Sequence, residues 1–129
     1  MSPHDGCNCG RPEPYVDCCG AIIEGRRPAI TAEDLMRSRY SAFVHHESTY
    51  LLDSWAPETR PMTAGLGDQT WISLTIVDVV RGGPLDQAGE VEFIARYRHG
   101  ADVGQLAERS TFRRHHGRWV YVDGVVGSW

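Results

Sequence analysis

The spacing of apolar positions changes character halfway along the chain. From Thr31 onward, Leu35, Met36, Tyr40, Phe43 and Val44 recur at three- and four-residue intervals, the period that lines one face of an α-helix. Thr31 suits the capping position, and Glu33 and Asp34 complement the positive end, so the pattern predicts a helix to about His46. A second short helical piece is expected over Ser48 to Trp55, with Leu51, Leu52 and Trp55 available for burial and Pro57 as its stop. After a loop, the rhythm becomes that of strands. WISLTIVDVV (71–80) is dense in β-branched residues and ends at Gly82, Gly83 and Pro84. EVEFIARYRH (90–99) alternates Val91, Phe93, Ala95 and Tyr97 against Glu92, Ile94, Arg96 and Arg98, before a turn expected over Gly100 to Gly104. LAERSTFRRH (106–115) and RWVYVDGVV (118–126) flank a tight His116-Gly117 turn. Helices first and an antiparallel meander afterwards is an α+β order, with the long helix laid across one face of a curved sheet.

Length and charge narrow the picture. At 129 residues the chain fits one globular domain with a small appendage. No apolar run approaches the ~20 residues of a membrane span, which predicts a soluble protein. Thirteen Lys and Arg against 17 Asp and Glu leave a formal charge of -4, which argues against broad attraction to nucleic acid or an anionic membrane. The opening MSPHDG has neither the cationic nor the apolar region of a secretory signal, so a cytoplasmic location is expected, where thiols stay reduced.

All four cysteines lie in CNCGRPEPYVDCCG, residues 7–20. A disulfide framework would staple only the first twenty residues and needs an oxidising compartment. A redox pair would want C-x-x-C, which does not occur. Unligated thiols in a polar, proline-containing segment would be exposed to oxidation. Tetrahedral zinc is the reading that uses all four, since soft thiolates suit Zn²⁺ and a short loop without a core can fold around it. Gly10 and Gly20, each directly after a cysteine, are expected to take left-handed backbone angles that turn N–H groups toward sulfur.

That spacing, C-x-C, eight residues, then C-C, resembles the SEC-C motif, the zinc-binding element at the end of the SecA translocation ATPase. The resemblance makes Cys7, Cys9, Cys18 and Cys19 the ligands of a structural zinc ion. The loop between them is usually lysine-rich and here reads GRPEPYVD, with Arg11, Glu13 and Asp17, which argues against docking on an acidic partner. The chain as a whole resembles the YchJ-like family of uncharacterised bacterial proteins, through LMRSRYSAFV (35–44), TWISLTIVDV (70–79) and ERSTFRRHHGRWVYVDG (108–124). The resemblance implies a SEC-C-like motif over 1–24 and a nuclear transport factor 2-like domain over 25–129, a cone of helices and bent sheet around a cavity. It also implies a second SEC-C element at the carboxyl end in many members; no cysteine follows Cys19 here. Homodimers through a sheet face are common for that fold.

With His116 and Gly117 as the turn, pairing aligns Arg114 with Trp119, Phe112 with Tyr121 and Ser110 with Asp123, with Glu108 further along the same side. Facing a cone interior, this set makes an apolar pocket with a few polar groups, the usual composition of a small-molecule site. The plainer reading makes Phe112, Trp119 and Tyr121 core, Asp123 a strand-end cap and Glu108 the partner of an arginine. Arg37 and Arg39 point to different sides of the helix. One of them is expected to tie helix to sheet by an ion pair with Glu108 or Asp123, or else to clamp an anion beside Tyr40. The histidines lack metalloprotease spacing, and no nucleophile–base order is recognisable. Two functions are therefore carried forward. The first is a non-enzymatic zinc-bearing module that binds a protein or a small molecule. The second is a small-molecule enzyme using the cavity, with Asp123 or Glu108 as acid or base and Arg39 or Tyr40 positioning the substrate.

Overall fold

The computed structural model describes residues 6–127. A single 3₁₀ turn at Tyr15–Asp17 leads into the short helix α1 (Cys19–Ile23), followed by the long helix α2 (Ala32–Val44) and by α3 (Ser48–Asp53). Four strands follow: β1 (Thr70–Arg81), β2 (Ala88–His99), β3 (Asp102–His115) and β4 (Arg118–Gly127). They form one antiparallel sheet in sequence order, a meander. No helix among the described residues is long and apolar enough to cross a membrane.

Helix α2 starts where its cap requires. The Thr31 side chain accepts from the Asp34 N–H at 3.0 Å, satisfying one donor of the open first turn. It ends two residues earlier than its periodicity suggested, because His46 adopts φ +58° and leaves the helical path. The chain leaves the cysteine loop through α1, which starts at Cys19 itself. The β2–β3 turn is also tighter than expected: it occupies Gly100 and Ala101, and Gly104 already lies in β3 opposite Tyr97.

Bulges bend the sheet. Register shifts occur in β1 between Trp71 and Ser73 and between Ile76 and Asp78, leaving Ile72 and Val77 as the extra residues. A third lies in β4, where Val122 is extra. Each bulge adds local twist and curvature, and together they fold the sheet around α2. The inner face carries Val91, Phe93 and Ala95 of β2 and Phe112 of β3, all at most 5% exposed. The outer face carries an ion network in which Arg109 reaches Asp78, Glu90 and Glu92.

The β4 bulge overturns one pairing. Phe112 does face Tyr121, but beyond the bulge Ser110 pairs with Gly124 and Thr111 with Asp123. An extra residue moves every later side chain to the other face. The bulge sits where β4 is bound from its free edge: Tyr121 N–H donates to Ser54 O, Ala56 N–H donates to Tyr121 O, and the Thr59 hydroxyl donates to Val122 O. Gly124 has no side chain to compete with Glu108, which occupies the space a Cβ there would need.

Candidate functional site

Two features meet on α2: a cysteine cluster on one side and a cavity on the other. Turns pull the cysteines together. Gly10 N–H donates to Cys7 O, and Cys7 N–H donates to Glu13 O across the loop. Gly10 takes φ +102°, as its place after Cys9 demanded. Gly20 does not. It lies within α1, and its lack of a side chain instead lets the Tyr15 ring and carbonyl approach closely.

All four sulfur atoms lie within 4.8 Å of one another, Cys9 Sγ and Cys18 Sγ at 3.8 Å. Metal–sulfur bonds of about 2.3 Å in a tetrahedron place sulfurs about 3.8 Å apart, whereas a disulfide needs about 2 Å. The four cysteines are free and buried, between 0% and 5% exposed. A close group of thiols cannot all ionise without a cation. Hydrogen bonds from Cys19 and Cys9 hold the Cys7 thiol far below its ordinary range, while the same interaction with Cys7 drives Cys19 far upward. Burial and the neighbouring sulfurs push Cys18 up to about 12. One thiolate is thus stabilised at the expense of the others, and a divalent cation is what allows four together. The donor set therefore fits a soft metal ion. The amide nitrogen of Asn8, buried between two of the cysteines and without a partner among the described residues, is a spare donor of the kind thiolates accept.

The surrounding shell comes from α2. Arg37 Nη1 donates to Cys9 O at 2.6 Å and Nε donates to Glu33 at 2.8 Å. Arg11, from the loop, pairs with Asp34 at 2.7 Å. Ser41 donates to Asn8 Oδ1 at 3.0 Å and lies 3.8 Å from Cys7 Sγ. Arg37 and Ser41 are one helical turn apart, so a single stripe of α2 docks the loop. The cysteines pack in one apolar cluster with Leu35, Tyr40 and Leu74.

On the other side of α2 the bent sheet encloses a cavity of about 150 Å³. Of the residues expected there, Arg39, Tyr40, Glu108, Ser110 and Tyr121 line it. Four do not. Arg37 faces the cysteine loop. Phe112 is fully buried core, Asp123 is exposed beyond the bulge, and Trp119 stacks with Arg114 (4.3 Å from guanidinium carbon to ring centroid) while its N–H donates to Ile30 O. Sequence reasoning missed the rest of the wall, notably Phe43, Trp55, Trp71 and Leu106. Trp55 is brought in by the segment paired to Tyr121, a long-range contact with no local signal. Trp71 and Phe93 lay on strand faces that only the register identifies as inner.

Neither helix arginine makes the ion pair with Glu108 or Asp123 expected of one of them: Arg37 pairs with Glu33, and Arg39 turns elsewhere. Its Nη1 donates to Leu51 O and Ser54 Oγ, both at 2.7 Å, and its guanidinium lies 4.9 Å from the Trp55 ring and 4.6 Å from that of Tyr121. Burial lowers it to about 10, so it remains a cation at neutral pH. Glu108 accepts instead from the Ser110 hydroxyl at 2.7 Å. Burial raises both Tyr40 and Tyr121 to about 12, which keeps them as phenols.

Comparison with known proteins agrees with this architecture. Residues 31–124 match the family described as "YchJ, middle NTF2-like domain". A UPF0225 protein of Streptomyces coelicolor is 46% identical over 123 residues, spanning 95% of this chain and 96% of its own. A UPF0225 protein of Xanthomonas oryzae is also 46% identical, with 94% and 95% covered. Among solved structures, a SEC-C motif containing protein from Rhodopseudomonas palustris superposes with a TM-score of 0.83 at 33% identity, covering 95% of this chain and 98% of that one. Another from Psychrobacter arcticus gives 0.75 at 25% identity, covering 98% and 81%. With its cysteine cluster ahead of a helix-covered curved sheet, the chain belongs to the YchJ-like family, whose middle domain is nuclear transport factor 2-like.

Proposed function

We propose that the protein is a non-enzymatic binding module, ordered by a structural zinc ion, whose cone cavity takes a small molecule. The observation that carries this reading is the position of α2, which forms one wall of the cavity through Arg39, Tyr40 and Phe43 and the dock of the cysteine loop through Arg37 and Ser41. Zinc is favoured by a four-thiolate set in tetrahedral spacing, and four protein ligands leave no open coordination position for catalysis. Free thiols in such a cluster fit the reducing cytoplasm.

The enzyme reading is left with one candidate acid or base. Asp123 lies outside the cavity, Tyr40 and Tyr121 hold their protons, and Glu108 is engaged by Ser110. General acid–base chemistry on a substrate commonly needs a second group of matched pKa.

Elemental analysis of protein purified without chelator is expected to give one zinc per chain. A fragment screen by ligand-observed NMR is expected to yield hits that Leu106→Trp, which fills the cavity, abolishes. Metal-free protein, or hits indifferent to that substitution, would overturn the reading.

A further inference from the structure

The cavity wall is almost wholly aromatic and aliphatic, with one cation in it. Tyr40 and Trp55 add two neutral donors: the Tyr40 hydroxyl and the Trp55 indole N–H are both buried with no partner among the described residues. Arg39 itself is 3% exposed and has no carboxylate within ion-pair distance among the described residues, unlike Arg11, Arg37, Arg109 and Arg113. An unpaired buried cation is costly to fold around. A protein that keeps one in a cavity gains most from it when an anion arrives.

The guanidinium is used asymmetrically. Nη1 is committed to Leu51 O and Ser54 Oγ, and the group rests against two rings that themselves meet edge to face at 5.1 Å. No hydrogen bond is made by Nε or Nη2 among the described residues, which leaves one edge of the planar fork free. Two parallel N–H donors on one edge match the two oxygens of a carboxylate. The volume, about 150 Å³, is that of a cavity accepting one benzene ring, and the aromatic walls favour a flat guest. Glu108, held by Ser110 on the same wall, supplies a negative charge against which any anion must be balanced.

We propose that the cone cavity recognises a small, flat, largely apolar monocarboxylate, its carboxylate held by the free Nε–Nη2 edge of Arg39 and its ring by Phe43, Trp55 and Trp71; this rests on the cavity being the ligand site proposed above. Binding forms no covalent bond and moves no proton, since both partners are already charged at neutral pH.

The test titrates the metal-replete full chain with benzoate, benzyl alcohol and benzylamine, three single-ring guests of similar size and different charge, followed by calorimetry and by the fluorescence of the cavity tryptophans. Benzoate is expected to bind at least about tenfold tighter than benzyl alcohol, the value of one charge-assisted pair. Arg39→Met is expected to erase that preference while benzyl alcohol still binds. Glu108→Gln, which leaves the α2–α3 contacts alone, is expected to tighten benzoate and leave the alcohol unchanged, and it decides the matter should Arg39→Met fail to fold. Equal binding of benzoate and benzyl alcohol to the wild type overturns the carboxylate inference and leaves the small-molecule module standing. A preference for benzylamine overturns it in favour of Glu108 as the recognition group. Binding of none of the three removes both.

Discussion

The cysteine loop and the cone are built from opposite materials. The loop, from Gly6 to Cys19, has one 3₁₀ turn for regular structure and is held by a few backbone bonds, contacts of Arg11, Arg26, Arg27 and Arg37, and four sulfurs. The cone has a twelve-residue β2 hydrogen-bonded along both edges and an inner face closed by Phe93, Val91 and Phe112. The cone offsets its conformational entropy by burial, whereas on the function proposed above the loop would rely on metal–sulfur bonds for the same purpose. Yet the sulfurs sit in the same apolar cluster as Leu35, Tyr40 and Leu74. What differs is the bond that orders each part, while the interior is shared.

The strongest way to break this comparison is to remove the metal. Chelation, or the double substitution Cys18→Ser and Cys19→Ser, is expected to cost several kcal/mol, since structural zinc contributes on the order of 10 kcal/mol in small domains. Because the sulfurs belong to the common core, the thermal transition of the whole chain is expected to fall. A melting curve followed by circular dichroism that does not move on complete metal removal would show that the cone is indifferent to its knuckle. Next in size is Phe112→Ala, which empties a fully buried position on β3 and is expected to cost about 3–5 kcal/mol. Here the metal is expected to stay at its wild-type stoichiometry in the folded fraction. Loss of metal in parallel with folded-state signal at low denaturant would instead make the loop a dependant of the cone.

Arg37→Met acts at the seam. It removes the donor to Cys9 O and the pair with Glu33, and outer-shell partners typically account for 10- to 100-fold in metal affinity. We expect competition with a chromogenic chelator to show at least about a tenfold loss with little change in melting temperature. A melting change without an affinity change would make Arg37 merely part of the helix surface.

Much of this was readable from residues alone, and what was not has a common cause. The helix period of Leu35 to Val44, the alternation along β2 and the C-x-C, C-C spacing are local patterns, and local patterns are dictated by neighbours in sequence. Asp123 was misplaced and Trp55 missed as a wall residue because their positions depend on a bulge at Val122 and on the pairing of the 54–56 segment with β4. Neither the bulge nor the Trp55–Tyr121 pairing is a choice that neighbours in sequence dictate. The ion pair expected of Arg37 or Arg39 failed for a related reason: the partners of Arg39, Leu51 O and Ser54 Oγ, belong to the end of α3, and a carbonyl acceptor leaves no trace in a side-chain pattern. Gly10 was read correctly because its φ follows from the tight turn between its neighbours; Gly20 was misread because Tyr15 approaches it from outside.

The smallest predicted effect tests whether α2 is truly common to both regions. Thr31 touches neither the sulfurs nor the cavity; it caps the helix that carries Arg37 and Ser41 on one side and Arg39 and Tyr40 on the other. Replacing it by alanine leaves the Asp34 N–H without its partner and is expected to cost about 1 kcal/mol. If the helix is a shared wall, that loss appears as a lower urea midpoint with an unchanged slope, because the same surface is still exposed in one transition. Chelator competition is expected to be unaltered, in contrast to Arg37→Met, since the docking stripe stays in place in the folded state. A split transition, in which the loop releases metal before the sheet unfolds, would mean that the cap stabilises the knuckle side alone and that the two materials are joined less closely than their common core implies.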